Sequence, residues 1–513
     1  MKRLSVLFCL AGLAAAQTAN HCPSNARPID LSAPAWNGWG PDSSNARFQP
    51  ESAAGIPAAQ VSRLKLKWAF GFPNVKSVMG APVMAGGRVF LGVDTGEVYS
   101  LDAATGCEYW VFKADAGVRS AITIAHAGSR MAAFFGDLKA NAYAVDAITG
   151  ASLWKFRVDD HPTARITGAI KFFENRVYIP VASGEEGAGV NPKYPCCTFR
   201  GSVVAMEASG YRQLWKTYTI AEEPKQTGKN SNGVLRYAPA GGGVWNSPTI
   251  DAKRRALYIG TGDAYTEPAA STTDALMALD LDSGKILWVV QDTGNDAWLV
   301  GCSGAARPEN CPKDLGPDHD FGASPILTTL PSGRTLLIAG QKSGNVWAHD
   351  PDQKGAAVWR TALVNNTTEF GGKIVWGGAA DDQNAYFGLG PGGIAAVQLR
   401  DGERQWFARL DPAPAVAQHP GHEGALSAIP GVVFSGAWDG VLRALAANDG
   451  RVLWEYNTVQ EFKTVNGIAA RGGSLSVSGP TVAGGMLFAG SGYVGVRNGM
   501  PGNVLLAFSP ESQ

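Results

Sequence analysis

Eight tryptophans set the fold class of this chain. Trp68, Trp110, Trp154, Trp215, Trp288, Trp359, Trp406 and Trp454 recur along it, most of them a few residues after a Gly-centred turn. The clearest copies are AATGCEYW, AITGASLW, LDSGKILW and ANDGRVLW, ending at Trp110, Trp154, Trp288 and Trp454. Alternating strand patterns such as EVYSLDA, NAYAVDA and VWAHDPD run just upstream of several copies. The spacings are 42, 44, 61, 73, 71, 47 and 48 residues. Strand-and-turn repeats with a period of roughly 40–50 residues form propeller blades, because a single unit cannot bury both of its apolar faces. Eight copies predict an all-β, eight-bladed β-propeller. The first blade is expected to begin near Leu64, and the terminal strand NVLLAFS to close the ring against it.

The length of 513 residues would ordinarily imply about three or four domains, but a propeller is one ring however long the chain. Its 64 Gly and 30 Pro supply tight turns, and 15 Trp with 45% hydrophobic residues supply ample core. Formal net charge is zero, and no run of like charge offers a surface for nucleic acid or an anionic membrane. Residues 1–16 carry Lys2 and Arg3, an apolar stretch from Leu4 to Leu13, and Ala14 to Ala16. That pattern predicts a secretory signal cleaved near Gln17, too short to span a membrane, ahead of a single domain over 17–513. Export places the mature chain in the periplasm or outside the cell.

Six cysteines follow the leader, an even number that favours disulfides in an exported protein. The expected pairs are Cys302–Cys311 across an insertion, Cys196–Cys197 between neighbours, and Cys22–Cys107 from what is left. No C-x-x-C-H occurs, so no covalently attached haem is built in. Residues 17–60, with WNGWGPDSSNARFQP, are expected to wrap the ring ahead of the first blade. The three long intervals put insertions in the middle blades, where they should crown the face that carries the site.

Adjacent Cys196 and Cys197 are the most specific chemical signal. Neighbouring Cα atoms lie ~3.8 Å apart, below the usual disulfide span of ~4.4–6.8 Å, so such a bond constrains the backbone as functional sites often do. Together with the Trp-marked ring, CCTFRG resembles the pyrroloquinoline-quinone (PQQ) alcohol dehydrogenases. WNGWGPDSSNARFQ, RLKLKWAF, GQKSGNVWAHD and GGSLSVSGPTVAGGMLFAGSGY extend the similarity over the mature chain, most closely to the members acting on polyvinyl alcohol.

The resemblance implies a vicinal disulfide packed on one face of the quinone, with Arg200 reaching its carboxylates. Ser183-Gly184-Glu185-Glu186 is similar to a family segment whose Glu ligates the metal, here Glu186 or, failing that, Glu185. Trp245 matches the Trp on which the quinone lies, a large rigid ring suited to a planar partner. Asp263 stands where the family usually presents Asn to the metal, and its extra charge favours a more highly charged ion. Asp318 falls on the family's catalytic base, which takes the alcohol proton while hydride leaves for the quinone, and proton removal needs a carboxylate within reach of the hydroxyl. Asp320 matches an acid that accompanies lanthanide use, although the spacing lets either Asp be the base. Lys342 stands beside the reacting carbonyl, where a fixed cation stabilises developing negative charge. Thr167 and Trp376 are further candidate contacts.

The resemblance thus implies an alcohol dehydrogenase using PQQ with Ca²⁺ or a lanthanide. Its substrate is a small or polymeric alcohol, polyvinyl alcohol among them, and its electrons pass to a separate soluble cytochrome c. The other reading is a non-catalytic propeller that binds envelope proteins, since fold alone does not fix function. A calcium-bound hydrolase on this fold lacks a nucleophile–base pair.

Overall fold

A computed structural model describes residues 20–23, 29–210, 212–305, 307–364, 373–412, 421–495 and 499–511; the expected leader lies outside them. Eight sheets stand around a common axis, each an antiparallel meander whose first strand lies innermost. The innermost strands are Val83–Ala85, Thr123–Ala127, Lys171–Phe173, Thr249–Asp251, Ile326–Thr329, Ala379–Ala380, Ser427–Ile429 and Thr481–Ala483. In the third blade Ala164–Arg165 also pairs with the second strand, Arg176–Ser183. The second and third strands are buried on both sides, so they read as nearly continuous apolar runs, while the outer strands alternate.

Leu64–Gly71 is the outermost strand of the last blade. It pairs antiparallel with Val504–Pro510, with Leu64 opposite Pro510 and Gly71 opposite Val504. The two ends of the ring are therefore joined by main-chain hydrogen bonds, as NVLLAFS implied.

The repeated Trp and the repeated Gly turn out to be partners across a blade boundary. Each outer-strand Trp reaches the next blade: Trp68 donates Nε1–H to the Ala103 carbonyl, Trp110 to Ala147, Trp154 to Ala208 and Trp215 to Leu281. Trp359, Trp406 and Trp454 do the same to Leu399, Ala447 and Leu64, the last across the closure. Trp288 lies over Gly355 of the following blade. The turn Gly has positive φ and lies against the preceding blade's indole, so it serves turn and docking at once.

Residues 36–49 do not wrap the ring; they fill its channel and touch the innermost strand of every blade in turn. Trp36 exchanges main-chain hydrogen bonds with Met84, and Asn37 brackets Ile124 with its side chain. Lys171 donates to the Asp42 carbonyl, Ile250 N–H to Ser43, Leu327 N–H to Ser44 and Ala380 N–H to Ala46. Arg47 and Gln49 pair with Ala428, and Gln49 Nε2 also donates to the Val482 carbonyl. Arg47 is fully buried, donates to Leu426, Ser427 and Ser478, and lies over the rings of Trp36 and Trp39. Burial pulls its guanidinium down to about 9. The segment is polar because the channel edges of eight sheets offer backbone groups that need partners.

The insertions follow the second and fourth strands of the middle blades. They comprise the short helix Glu185–Ala188 with the Cys196–Cys197 loop, the hairpin Lys225–Lys229/Leu235–Ala238, and the loop closed by Cys302–Cys311. Buried Asn310 joins them, donating to the carbonyls of Gly189, Asn191 and Tyr194 while accepting from Asn230. Cys22 pairs with Cys107. No helix among the described residues is long and apolar enough to cross a membrane.

Gly402 has φ +76°, and a Cβ there would come within 2.5 Å of the Trp359 ring. Gly402→Ala is expected to cost about 1–3 kcal/mol, from the strained backbone and the crowded indole. Thermal unfolding should show a lower apparent Tm, and an unchanged one would mean that this contact does not hold the two blades together.

Candidate active site

The loops that lead into the innermost strands converge above the plugged channel. With the loops after several second strands and the third insertion, they enclose a cavity of about 890 Å³. Its walls differ in charge: acids and lysines gather in one region, and two arginines in another.

Glu186, Asp263, Asp318 and Asp320 line the acidic region with Lys342 and Lys373. Ligand atoms of Asp263, Asp318 and Asp320 lie within 4.8 Å of one another. Asp318, with φ 64°, is held between two ammonium groups: Lys342 Nζ donates to its Oδ1 at 2.5 Å, and Lys373 to its Oδ2. Its loop is pinned from below by Asp296, which accepts from the backbone N–H of Asp318 and His319. Asp320 accepts from Trp245 Nε1 at 3.0 Å and lies 3.2 Å from Lys342.

These groups perturb one another strongly. Burial pushes Glu186 up to about 7, with Asp320 and Asp318 adding to the rise against the pull of Lys342. Burial and then Asp320 lift Asp263 well above the carboxylate range. Burial also raises Asp320, but Lys342 outweighs it and leaves that carboxyl below its ordinary value. Lys342 is desolvated too, yet Asp318 and Asp320 hold it firmly charged.

Trp245 forms a flat wall. Its ring edge meets Gly322, where a Cβ would lie 1.9 Å away, so only glycine fits there. Trp376 meets it edge-on at 5.3 Å, Lys342 lies 5.3 Å over its face, and Thr167 Oγ1 donates to its carbonyl. Ser183 and Gly184 line the neighbouring wall, with Ser183 Oγ 3.3 Å from the Tyr265 hydroxyl. Arg119 and Arg165 supply the basic region. Arg119 lies 4.2 Å over the Trp376 ring, and Arg165 Nε is buried without a hydrogen-bond partner. Neither arginine forms an ion pair among the described residues. Trp298, Val300 and Leu315 give the cavity an apolar wall.

Cys196, Cys197 and Arg200, expected beside the cofactor, are not among the residues lining this cavity. Glu185 explains the displacement. Fully buried, it accepts from the backbone N–H of Thr198 and Phe199 and from the Tyr194 hydroxyl, tying the cysteine loop behind the short helix. The bonded cysteines pack there with Leu299 and the second disulfide. Arg200 donates to the Ile220 and Ala221 carbonyls, stacks on Tyr218, and lines a separate surface hollow. Of the two neighbouring glutamates, only Glu186 faces the cavity.

Arg119, Arg165 and Lys373 escaped the sequence reading. Each stands a few residues ahead of an innermost strand, as Trp245, Asp320 and Trp376 do. Blade phase was the signal that would have found them.

The site passes a chemical test for a metal and a polyanionic group. Both oxygens of Asp263 are buried and receive no hydrogen bond, and a hard cation takes such oxygens. Two guanidiniums in the cavity wall with no ion-pair partner among the described residues suit carboxylates. The fold and this cavity define a propeller built around a planar, acidic organic group and a hard cation. A family model described as the glucose/ethanol/alcohol dehydrogenase beta-propeller domain (PQQ) matches residues 36–306, and one for the outer membrane protein assembly factor BamB matches 272–498. The chain is 42% identical to a polyvinylalcohol dehydrogenase of Pseudomonas sp. over 96% of its own length and 80% of that protein's. It is 37% identical to the corresponding protein of Sphingopyxis sp. (strain 113P3), over 96% and 79%. Among solved structures, quinohemoprotein alcohol dehydrogenase ADHIIG of Pseudomonas putida HK5 superposes with TM-score 0.68 at 16% identity, covering 94% of this chain and 81% of that one. A europium-containing methanol dehydrogenase superposes with TM-score 0.65 at 16% identity, covering 93% and 98%. This chain belongs to the PQQ-dependent quinoprotein alcohol dehydrogenases.

The two glutamates should separate by experiment. Glu185→Gln is expected to lower the apparent Tm, because the buried carboxylate loses an acceptor that backbone N–H groups need, at about 1–3 kcal/mol. Glu186→Gln should leave the Tm of the metal-free protein intact and weaken Ca²⁺ or Tb³⁺ binding at least tenfold. The reverse pattern in melting and titration would exchange their roles.

Proposed function

We propose that this chain is exported and oxidises a primary or secondary alcohol to a carbonyl, with PQQ as electron acceptor and Ca²⁺ or a lanthanide as metal. The observation that carries the reading is the divided cavity, with buried carboxylates lacking partners in one region and unpaired arginines in another. Arg119 and Arg165 would hold the cofactor's carboxylates, taking the part expected of Arg200, and Trp245 would support its ring plane. Glu186, Asp263 and Asp320 would hold the cation. The bound quinone supplies an acceptor for the hydride that leaves the alcohol carbon.

Asp318 takes the hydroxyl proton as that hydride leaves, so alcohol goes to carbonyl with a hydride (two electrons and one proton) to the acceptor and a second proton to the base. Its assignment over Asp320 rests on two supports. Asp320 is tied to the Trp245 indole and is a weak proton acceptor, whereas Asp318 is oriented by Lys342 and Lys373 and has its own backbone N–H fixed by Asp296. Lys342 orients the base and places a fixed positive charge near the reacting oxygens. Trp298, Val300 and Leu315 exclude water and give a hydrocarbon chain a surface, which favours secondary and polymeric alcohols such as polyvinyl alcohol. Electrons leave to a separate soluble cytochrome c.

Purified protein supplied with PQQ and either Ca²⁺ or La³⁺ should oxidise members of a panel from methanol through 2-hexanol to polyvinyl alcohol. Asp318→Asn is expected to lower kcat by about 10²–10⁴-fold while PQQ still binds. An unaffected rate would remove Asp318 as the base. Absence of both PQQ binding and turnover would favour the scaffold reading that the assembly-factor match leaves standing.

A further inference from the structure

The acidic region is deeper than one metal requires. Asp263 belongs to two carboxylate groups: one with Asp318 and Asp320, the other with Asp274 and Asp296. In each group the ligand atoms lie within 4.8 Å of one another. Asp274 is fully buried, and neither of its oxygens has a hydrogen-bond partner. Asp263 shares that condition at both oxygens. The first group has Lys342 and Lys373 as counter-charges, but Asp274 and Asp296 form no ion pair among the described residues. Asp274 is also held with φ 50°, its N–H donating to the Gly262 carbonyl, so the chain commits backbone strain to placing it there.

We propose that Asp263, Asp274 and Asp296 form a second cation site beneath the first, with Asp263 bridging the two. Buried carboxylates without donors or counter-ions are stabilised by a hard cation, which accepts several oxygens from flexible geometry. Asp296 spends one lone pair of each oxygen on the Asp318 and His319 amides and keeps the others for a metal. Three carboxylates in a dry setting favour a trivalent ion or Ca²⁺ over a monovalent one. An ion there would stiffen the loop that carries Asp318 from below, through Asp296. The site needs no quinone ligand, so its occupancy is independent of the dehydrogenase reading.

The test counts ions. Metal-free protein is loaded with Tb³⁺, with and without PQQ, desalted, and its terbium measured by mass spectrometry. Wild type is expected to retain one ion per chain more than Asp274→Asn in both conditions; equal counts overturn the proposal. Wild-type crystals soaked in Tb³⁺ give a readout that does not depend on the variant folding. An anomalous peak bounded by Asp263, Asp274 and Asp296 supports the site, and a peak confined to Glu186, Asp263 and Asp320 overturns it. Failure of PQQ to bind would leave this count unchanged, so the two readings fail separately.

Discussion

The constraint on which everything else rests is closure of a ring around a channel that cannot stay empty. Eight sheets leave eight innermost edges of unpaired backbone groups facing one another, and buried unpaired groups are costly. Residues 36–49 answer every edge in order, from Met84 to Val482, with Arg47 buried at the crossing. Leu64–Gly71 then closes the outer seam on Val504–Pro510. The plug gives the cavity a floor, and the Trp–Gly contacts fix the angle between blades. Loops arriving from separate blades can therefore meet within a few ångströms at the mouth.

That rigidity makes the charge distribution affordable. Glu186, Asp263, Asp274, Asp296, Asp318 and Asp320 would repel one another apart in a softer setting, and the two lysines offset only part of their charge. A scaffold protein has no use for such a cluster, whereas a cation site requires it. The paired arginines make the complementary statement in the basic region. Burial pulls Arg119 down, Tyr493 works against it and Arg165 adds to the fall, so an anion would stabilise the pair.

Much of this was legible in the sequence. The Trp spacing gave the blade number because indole docking is a local, repeated requirement, and the closing strand followed from the same periodicity. Trp245, Glu186, Asp263, Asp318, Asp320 and Lys342 converge in one cavity because each stands just ahead of an innermost strand or just after a second strand, at the same end of the ring. The cysteine pair bonds as expected, but neither it nor Arg200 lines the cavity, since adjacency along the chain says nothing about which way a loop folds. Glu185, one residue from the metal candidate, captures that loop and turns it away. The plug escaped notice because its partners are backbone groups scattered over the whole chain, which no local pattern announces. Asp274 and Asp296 likewise show their meaning only when three loops are brought together.

The most direct test of the account is a crystal structure of the protein grown with PQQ and Ca²⁺. The quinone should lie against Trp245, with its carboxylates at Arg119 and Arg165 and a metal among Glu186, Asp263 and Asp320. Density for the quinone at the Cys196–Cys197 disulfide beside Arg200, with the central cavity left to solvent, would contradict it.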